Sequence, residues 1–238
     1  MTVAWTVTDG PGDLLMTVNG RLGLNDVSTL RLHLMKCLAE QPEAVLIDLD
    51  GVRVEQPLAL AVFTAAARQS RCWPGIPLLL CTSTAETRAM LRSGAYRRLP
   101  LFRDVTSARQ HIGRFEQSLP SLSDDILPIE GAGRHARNVA TDACLRWGLP
   151  DMVGPACLIA NELIANVTAH ANTMATLRIS LRQRHLALAV EDGSAQRPVL
   201  RPGGEHPGRG LQLVRAMSVS WGWLPTEGGK VVWATLRR

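Results

Sequence analysis

The sequence predicts two domains: an α/β layer domain followed by an α+β domain whose sheet is mainly antiparallel. Three observations carry this expectation. The chain has 238 residues, and at roughly 100–200 residues per domain that is one large domain or two small ones. The stretch SLPSLSDDILP, Ser118–Pro128, gathers serines, prolines and an acid pair between two patterned regions and reads as a linker. Before it, apolar runs of strand length alternate with helical spacing, whereas after it two helical stretches precede paired strands. The expected boundaries are residues 1–117 for the first domain, 118–126 for the linker and 127–238 for the second.

In the first domain, Leu14–Val18 is a short apolar run ended by Asn19-Gly20, and Val27–Leu38 has helical spacing behind a cap at Asn25 or Asp26. Ala44–Leu49 (AVLIDL) and Pro77–Thr82 (PLLLCT) are compact apolar strands suited to a sheet interior. Leu58–Ala67, Ala85–Ser93 and Val105–Phe115 read as the intervening helices, with Gly94 as a C-cap. In the second domain, Ala132–Trp147 and Met152–Ala171 read as helices, and Ala175–Leu181 and His185–Glu191 as strands joined by a tight polar turn. The loop Ser194–Pro207, interleaved with glycine and proline, leads to a short helix from Gly210 and two final strands. Such a loop has few side chains to pack and is expected to act as a lid that orders over a ligand.

Composition narrows the function. With 46% hydrophobic and 20% charged residues, general disorder is excluded. The charge-free stretch Leu163–Leu177 is interrupted by Asn166, Thr168, His170, Asn172 and Thr173. It falls short of the roughly 20 apolar residues of a membrane span. Asp9 and Asp13 lie where a signal peptide would carry its apolar run. A cytoplasmic protein without a membrane partner is therefore expected. Five scattered cysteines with no C-x-x-C pair suggest neither a disulfide framework nor a zinc site. The net charge is +5, but the basic residues form no long run or basic-aromatic stripe, which argues against direct nucleic-acid binding. Lys36 and Lys230 are the only lysines, and the P-loop, H-R-D and D-F-G signatures are absent.

The stretch ACLIANELIANVTAHA, Ala156–Ala171, is apolar on nearly every side and should form a largely buried helix. Glu162 and Asn166 are four apart and share a face, with His170 one turn further. On these residues alone, a satisfied polar cluster and a functional site both remain open. A carboxylate among Leu158, Ile159, Leu163 and Ile164 is costly unless something polar or metallic faces it, which favours a site. Further on, LALAVEDGS ends in Asp192-Gly193, and GRGLQLV (Gly208–Val214) can present free backbone N–H groups at a helix start, where phosphates bind.

In this order, over residues 127–237, the segments resemble the Bergerat-type, histidine kinase-like ATP-binding fold shared by gyrase, heat-shock chaperone, histidine kinase and mismatch-repair ATPases. Within it they are most similar to the bacterial anti-sigma factor serine kinases. NELIANVTAHA looks like their N-box and AVEDGS like the adenine box. GRGLQLVRAMSVSWGW with GGKVVWATL is similar to the actinobacterial lid and last strands. The resemblance implies ATP and Mg²⁺ as cofactors, Glu162 as general base, Asn166 as Mg²⁺ ligand and Asp192 as acceptor for the adenine amino group. Gly193, Gly208, Arg209, Gly210 and Leu211 would contact the nucleotide. One departure stands out: the wider family has D-x-G-x-G where this chain has Asp192-Gly193-Ser194-Ala195-Gln196.

Residues 13–115 resemble a STAS domain, the fold of anti-sigma factor antagonists, through GRLGLNDVSTLRLHL, AVLIDLDGV and LRSGAYRRLPLFRDVTSA. At the position where antagonists carry D-S-x-G and accept phosphate on the serine, this chain has Gln56 and Pro57. Proline suits a first helical turn but has no hydroxyl. Together the two resemblances imply a partner-switching regulator of a sigma factor, with an ATP-dependent serine kinase acting on a separate STAS antagonist. The alternative is a kinase-dead adaptor that binds a sigma factor or antagonist without phosphotransfer. Both leave room for a homodimer.

Overall fold

The computed structural model describes residues 3–115, 120–199 and 210–238. The chain divides into two compact units, Met1–Gln117 and Ser118–Arg238.

In the first unit, β1 (Ala4–Asp9) and β2 (Asp13–Leu22) pair antiparallel. The chain turns between them at Gly12, whose φ of 89° suits glycine. β3 (Ala44–Val54), β4 (Leu78–Cys81) and β5 (Leu101–Phe102) continue the sheet in parallel, in the order β1-β2-β3-β4-β5. Parallel neighbours need crossovers. These are α1 (Val27–Ala39), α2 (Ala61–Cys72) and α3 (Ala85–Leu91), while α4 (Val105–Phe115) follows β5. Ala44–Ile47 and Leu79–Leu80 are fully buried, as their unbroken apolar runs require for strands covered on both faces. β2 does not stop at Asn19-Gly20: a bulge between Thr17 and Asn19 and a φ of 103° at Gly20 absorb the turn-like pair, and pairing resumes to Leu22. β1 has no counterpart in the sequence reading: its short Trp5-Thr6-Val7-Thr8 alternation buries no face, and most of its side chains are exposed.

In the second unit, β6 (Ser121–Ile126), α5 (Ala132–Arg146), α6 (Val153–Asn166), β7 (Ala175–Leu181), β8 (His185–Asp192), α7 (Gly210–Met217), β9 (Ser220–Pro225) and β10 (Lys230–Arg237) follow in order. The sheet β6-β7-β8-β10-β9 is antiparallel throughout. Its core joins the small residues Ala136, Ala140 and Ala143 of α5 to Ile159 and Leu163 of α6 and to Leu177, Leu188 and Ala234 of the sheet. Small residues on one helix face let a second helix approach closely.

The stretch expected to be a linker over 118–126 is instead largely strand β6. An edge strand needs apolar residues on one face only, and Leu122 and Ile126 supply them while Ser121, Ser123 and Asp125 stay exposed. Thr176 Oγ1 donates to Asp125 Oδ1 at 2.7 Å, so the acid pair serves the sheet edge.

The run Pro150–Ala171, of mean hydropathy 1.3, is the one helical stretch among the described residues long and apolar enough to cross a membrane. Sequence reading expected none. Here Ala156, Ile159, Ala160, Leu163, Ile164 and Val167 of this run lie in the core of the second unit.

Candidate functional site

The last residue of α6, Asn166, is followed by a π-helical turn, Val167–Ala171, that ends at Asn172 with φ 50°. The wider turn lets the chain leave α6 and reach the end of β8. Thr173 completes the junction, its Oγ1 accepting the Gly193 N–H at 3.0 Å. π-turns inside helices are frequent at functional sites.

Asp192 closes β8 opposite Lys230, the first residue of β10. Both side chains are buried, and Lys230 Nζ donates to Asp192 Oδ1 at 2.8 Å and to the Ser194 carbonyl at 3.1 Å. The Ser194 N–H donates to the same Asp192 Oδ1 at 2.8 Å. Gly229 passes so near this point that a side chain on it would run into the Asp192 carbonyl oxygen.

These elements enclose a cavity of about 140 Å³. Asn166 lines it from the end of α6, His170 from the π-helical turn, Asp192 from β8, Lys230 from β10 and Leu211 from the start of α7. Asn166 Nδ2 is buried and has no hydrogen-bond partner among the described residues. Arg197, also in the lining, lies 5.6 Å from the centre of the Trp223 ring, a cation–π contact.

The structure thus brings Asn166, Asp192 and Leu211 to one cavity, while Glu162 stands outside its lining. Glu162 is half-buried and accepts from Asn161 Nδ2 at 3.3 Å, and Arg137 donates to Asn161 in turn. The expectation of a helix buried on nearly every side is corrected: Leu158 is 37% exposed and Glu162 lies on a partly open, polar flank. Gly210 rests directly against Glu162, where a Cβ would collide with Oε2. Gly193 packs on Thr173 instead of lining the cavity. Gly208 and Arg209, and the lid expected over Ser194–Arg209 from residue 200 onward, lie outside the described residues.

Lys230 and Thr173 escaped the sequence reading. Lys230 had a signal, since it is one of two lysines in the chain and follows a glycine pair. Among the described residues no group of three His, Cys, Asp or Glu could hold a metal ion. A hard cation would instead use the Asn166 carbonyl together with oxygens of a bound ligand.

In the first unit, Gln56 precedes a 3-10 turn, Pro57–Leu60, whose first residue is exposed. Gln56 Oε1 accepts the Leu24 N–H at 2.7 Å, and the Pro57 carbonyl accepts the Tyr96 hydroxyl at 3.0 Å. Thr64, further along the helix, has a buried Oγ1.

Three solved structures are similar over 47% of this chain, each with a TM-score of 0.40. One is an anti-sigma factor antagonist from Mycobacterium paratuberculosis, 18% identical and covered over 95% of its length. Another is the anti-sigma factor antagonist SpoIIAA in its unphosphorylated form, 9% identical and 97% covered. The third is an RsbS variant from Moorella thermoacetica, 10% identical and 96% covered. No family model matches the chain, and no curated protein matches it.

Proposed function

We propose that the second unit binds Mg-ATP with only part of the nucleotide inside the 140 Å³ cavity, and phosphorylates a serine of a separate STAS antagonist, in a cytosolic partner-switching circuit that controls a sigma factor. One observation carries this reading: residues from three separate motifs, Asn166, Asp192 and Leu211, line the same cavity. The orphaned amide of Asn166 fits a ligand that completes its bonding. Among the described residues both side-chain contacts of Asp192 use Oδ1, so Oδ2 would be the oxygen to accept an amino group from a base. Bound Mg²⁺ would neutralise phosphate charge, with the Asn166 carbonyl as its protein ligand. Glu162, on the same face of α6 one turn earlier, would take the proton of the attacking hydroxyl.

Calorimetry on the full chain with Mg-ATP tests the binding half. Asp192→Asn should weaken binding, and Asn166→Ala should remove its metal-dependent part. No heat at millimolar Mg-ATP would end the proposal. Glu162→Gln keeps shape and hydrogen bonding, so phosphotransfer should fall by roughly 10²–10⁴-fold while ATP binding survives.

A second reading, a kinase-dead adaptor, is favoured by two features: Lys230 already occupies Asp192, and Ser194 and Gln196 stand where the family pattern has glycine. Mg-ATP turnover measured with candidate partners separates the two. In either case the first unit would be a docking surface and not a substrate, because Pro57 offers no hydroxyl and its carbonyl is engaged by Tyr96. Incubation with an active cognate kinase should give no phosphopeptide between Ala44 and Arg71, whereas Gln56→Asp with Pro57→Ser should create one.

A further inference from the structure

The first unit contains a second, larger cavity of about 570 Å³. Its walls come from the later turns of α2, from the approach to β4, and from a 3-10 turn, Gly94–Arg98, that leads into β5. Four of its twelve lining residues are arginines and none is acidic, so the hollow has one sign of charge. Arg68 and Arg71 share a face of α2 because they are three apart. Arg97 and Arg98 face them from the end of the 3-10 turn.

Among the described residues, none of these four guanidinium groups pairs with a carboxylate. Three arginines elsewhere do pair with carboxylates: Arg109 with Asp13, Arg146 with Asp142 and Arg21 with Glu55. Basic residues in the last turn of a helix offset its dipole, which accounts for Arg71, Arg97 and Arg98 on their own elements. It does not account for Arg68, nor for all four arginines lining one hollow, where like charges repel until an anion joins them.

Two features complete the lining. Thr64 lines the cavity, and its Oγ1 lies buried beneath the wall with no partner among the described residues. The rest of the wall is apolar, with Ile76, Pro77, Leu78, Leu99 and Pro100. The volume lies within the roughly 300–1,000 Å³ of small-molecule pockets. Arginine forks match phosphate oxygens two at a time, whereas lysine acts as a point charge.

We propose that this cavity binds a diphosphate ester. Arg68, Arg71, Arg97 and Arg98 take the diphosphate, and the organic part lies on the Ile76–Leu78 and Leu99–Pro100 wall. Nucleoside and isoprenoid diphosphates share this chemistry and differ in the body that the apolar wall receives.

Calorimetry on the full chain, at low and high salt, tests the site with three probes: inorganic pyrophosphate, ADP and geranyl diphosphate. At least one ester should bind about tenfold or more tightly than pyrophosphate, since a buried apolar body adds to the shared head group. All binding at this site should weaken as salt rises. Arg68→Ala with Arg71→Ala, and separately Arg97→Ala with Arg98→Ala, should each weaken binding about tenfold or more. These arginines are exposed, so the variants should keep their far-UV circular dichroism and thermal midpoint. Asp192→Asn, in the other unit, should leave geranyl diphosphate binding unchanged, which keeps this site distinct from the proposed nucleotide cavity.

The proposal is overturned if none of the probes binds at millimolar concentration, or if both double variants bind the esters as wild type does. Equal affinity for pyrophosphate and both esters overturns the ester class. A short oligonucleotide that binds more tightly than every probe, and is lost in the same double variants, overturns the small-molecule reading in favour of nucleic acid.

Discussion

Each unit buries a carboxylate against a basic side chain, and the two pairs are built differently. Asp13 opens β2 with its side chain 1% exposed, and Arg109 of α4 grips it through Nε and Nη2 at 3.0–3.2 Å, using both carboxylate oxygens. These hydrogen bonds hold the Arg109 guanidinium above its ordinary pKa. Gly10 closes the other side, since a Cβ there would sit 2.7 Å from the same oxygens. Asp192 has no such enclosure: Lys230 and the Ser194 N–H share Oδ1, and the carboxylate borders a cavity. A carboxylate satisfied at both oxygens fixes two elements of structure. One satisfied at a single oxygen beside a cavity still has capacity for a ligand.

The comparison breaks most sharply when each cation is removed. Lys230→Met should cost about 3–5 kcal/mol, because it leaves the buried Asp192 carboxylate without a cation and, among the described residues, with only the Ser194 N–H donating to it. Arg109→Met should cost less, about 2 kcal/mol, because Arg109 is 40% exposed and its loss opens a path for water to Asp13. Urea unfolding followed by probes in each unit would measure both. Replacing Asp192 by Leu together with Lys230→Met should restore most of the stability, since neither charge is then left alone. Equal costs for the two single variants would remove the distinction drawn between the pairs.

A ligand sharpens the same contrast. If Mg-ATP binds at the second cavity, then at 100 times its Kd it should stabilise the second unit by about 2.7 kcal/mol by mass action. The transition of the first unit should not move with Mg-ATP. Fluorescence of Trp223 beside Arg197 reports the second unit, and Trp73, buried in the first, reports the other.

How much of this was legible in the sequence follows from how locally each feature is encoded. β3 and β4 were legible because strands covered on both faces must be apolar at every position, and Ala44–Ile47 and Leu79–Leu80 are. β6 was not, since an edge strand with one dry face tolerates the serines and acids that also mark a linker. Asn166, Asp192 and Leu211 were legible as members of short motifs. Lys230 was not, because its place beside Asp192 depends on the register of β10 against β8. The arginine-lined cavity is still less local: α2, the approach to β4 and the turn before β5 each contribute part of it, and no one of these segments carries a basic run.

The smallest expected effect concerns a third carboxylate, whose partners are neutral donors. Asp50 lies in β3, and burial acts to raise its pKa, but the Ser83 N–H, the Ser83 hydroxyl and the Thr82 hydroxyl all donate to its Oδ1. Together they hold the carboxyl below its usual range. A carboxylate with a lowered folded pKa stabilises the fold above its unfolded value, about 3.9, and loses that contribution as pH falls through the folded value. Asp50→Asn keeps an oxygen for these donors but cannot ionise. Wild type should therefore be the more stable protein at pH 6, by a margin that shrinks below pH 4 and closes at lower pH. The margin is small because Asp50 is exposed to water and its donors are uncharged. Thermal unfolding of both proteins across that range measures it. A difference that stayed constant with pH would mean that the asparagine acts through packing and not through the charge.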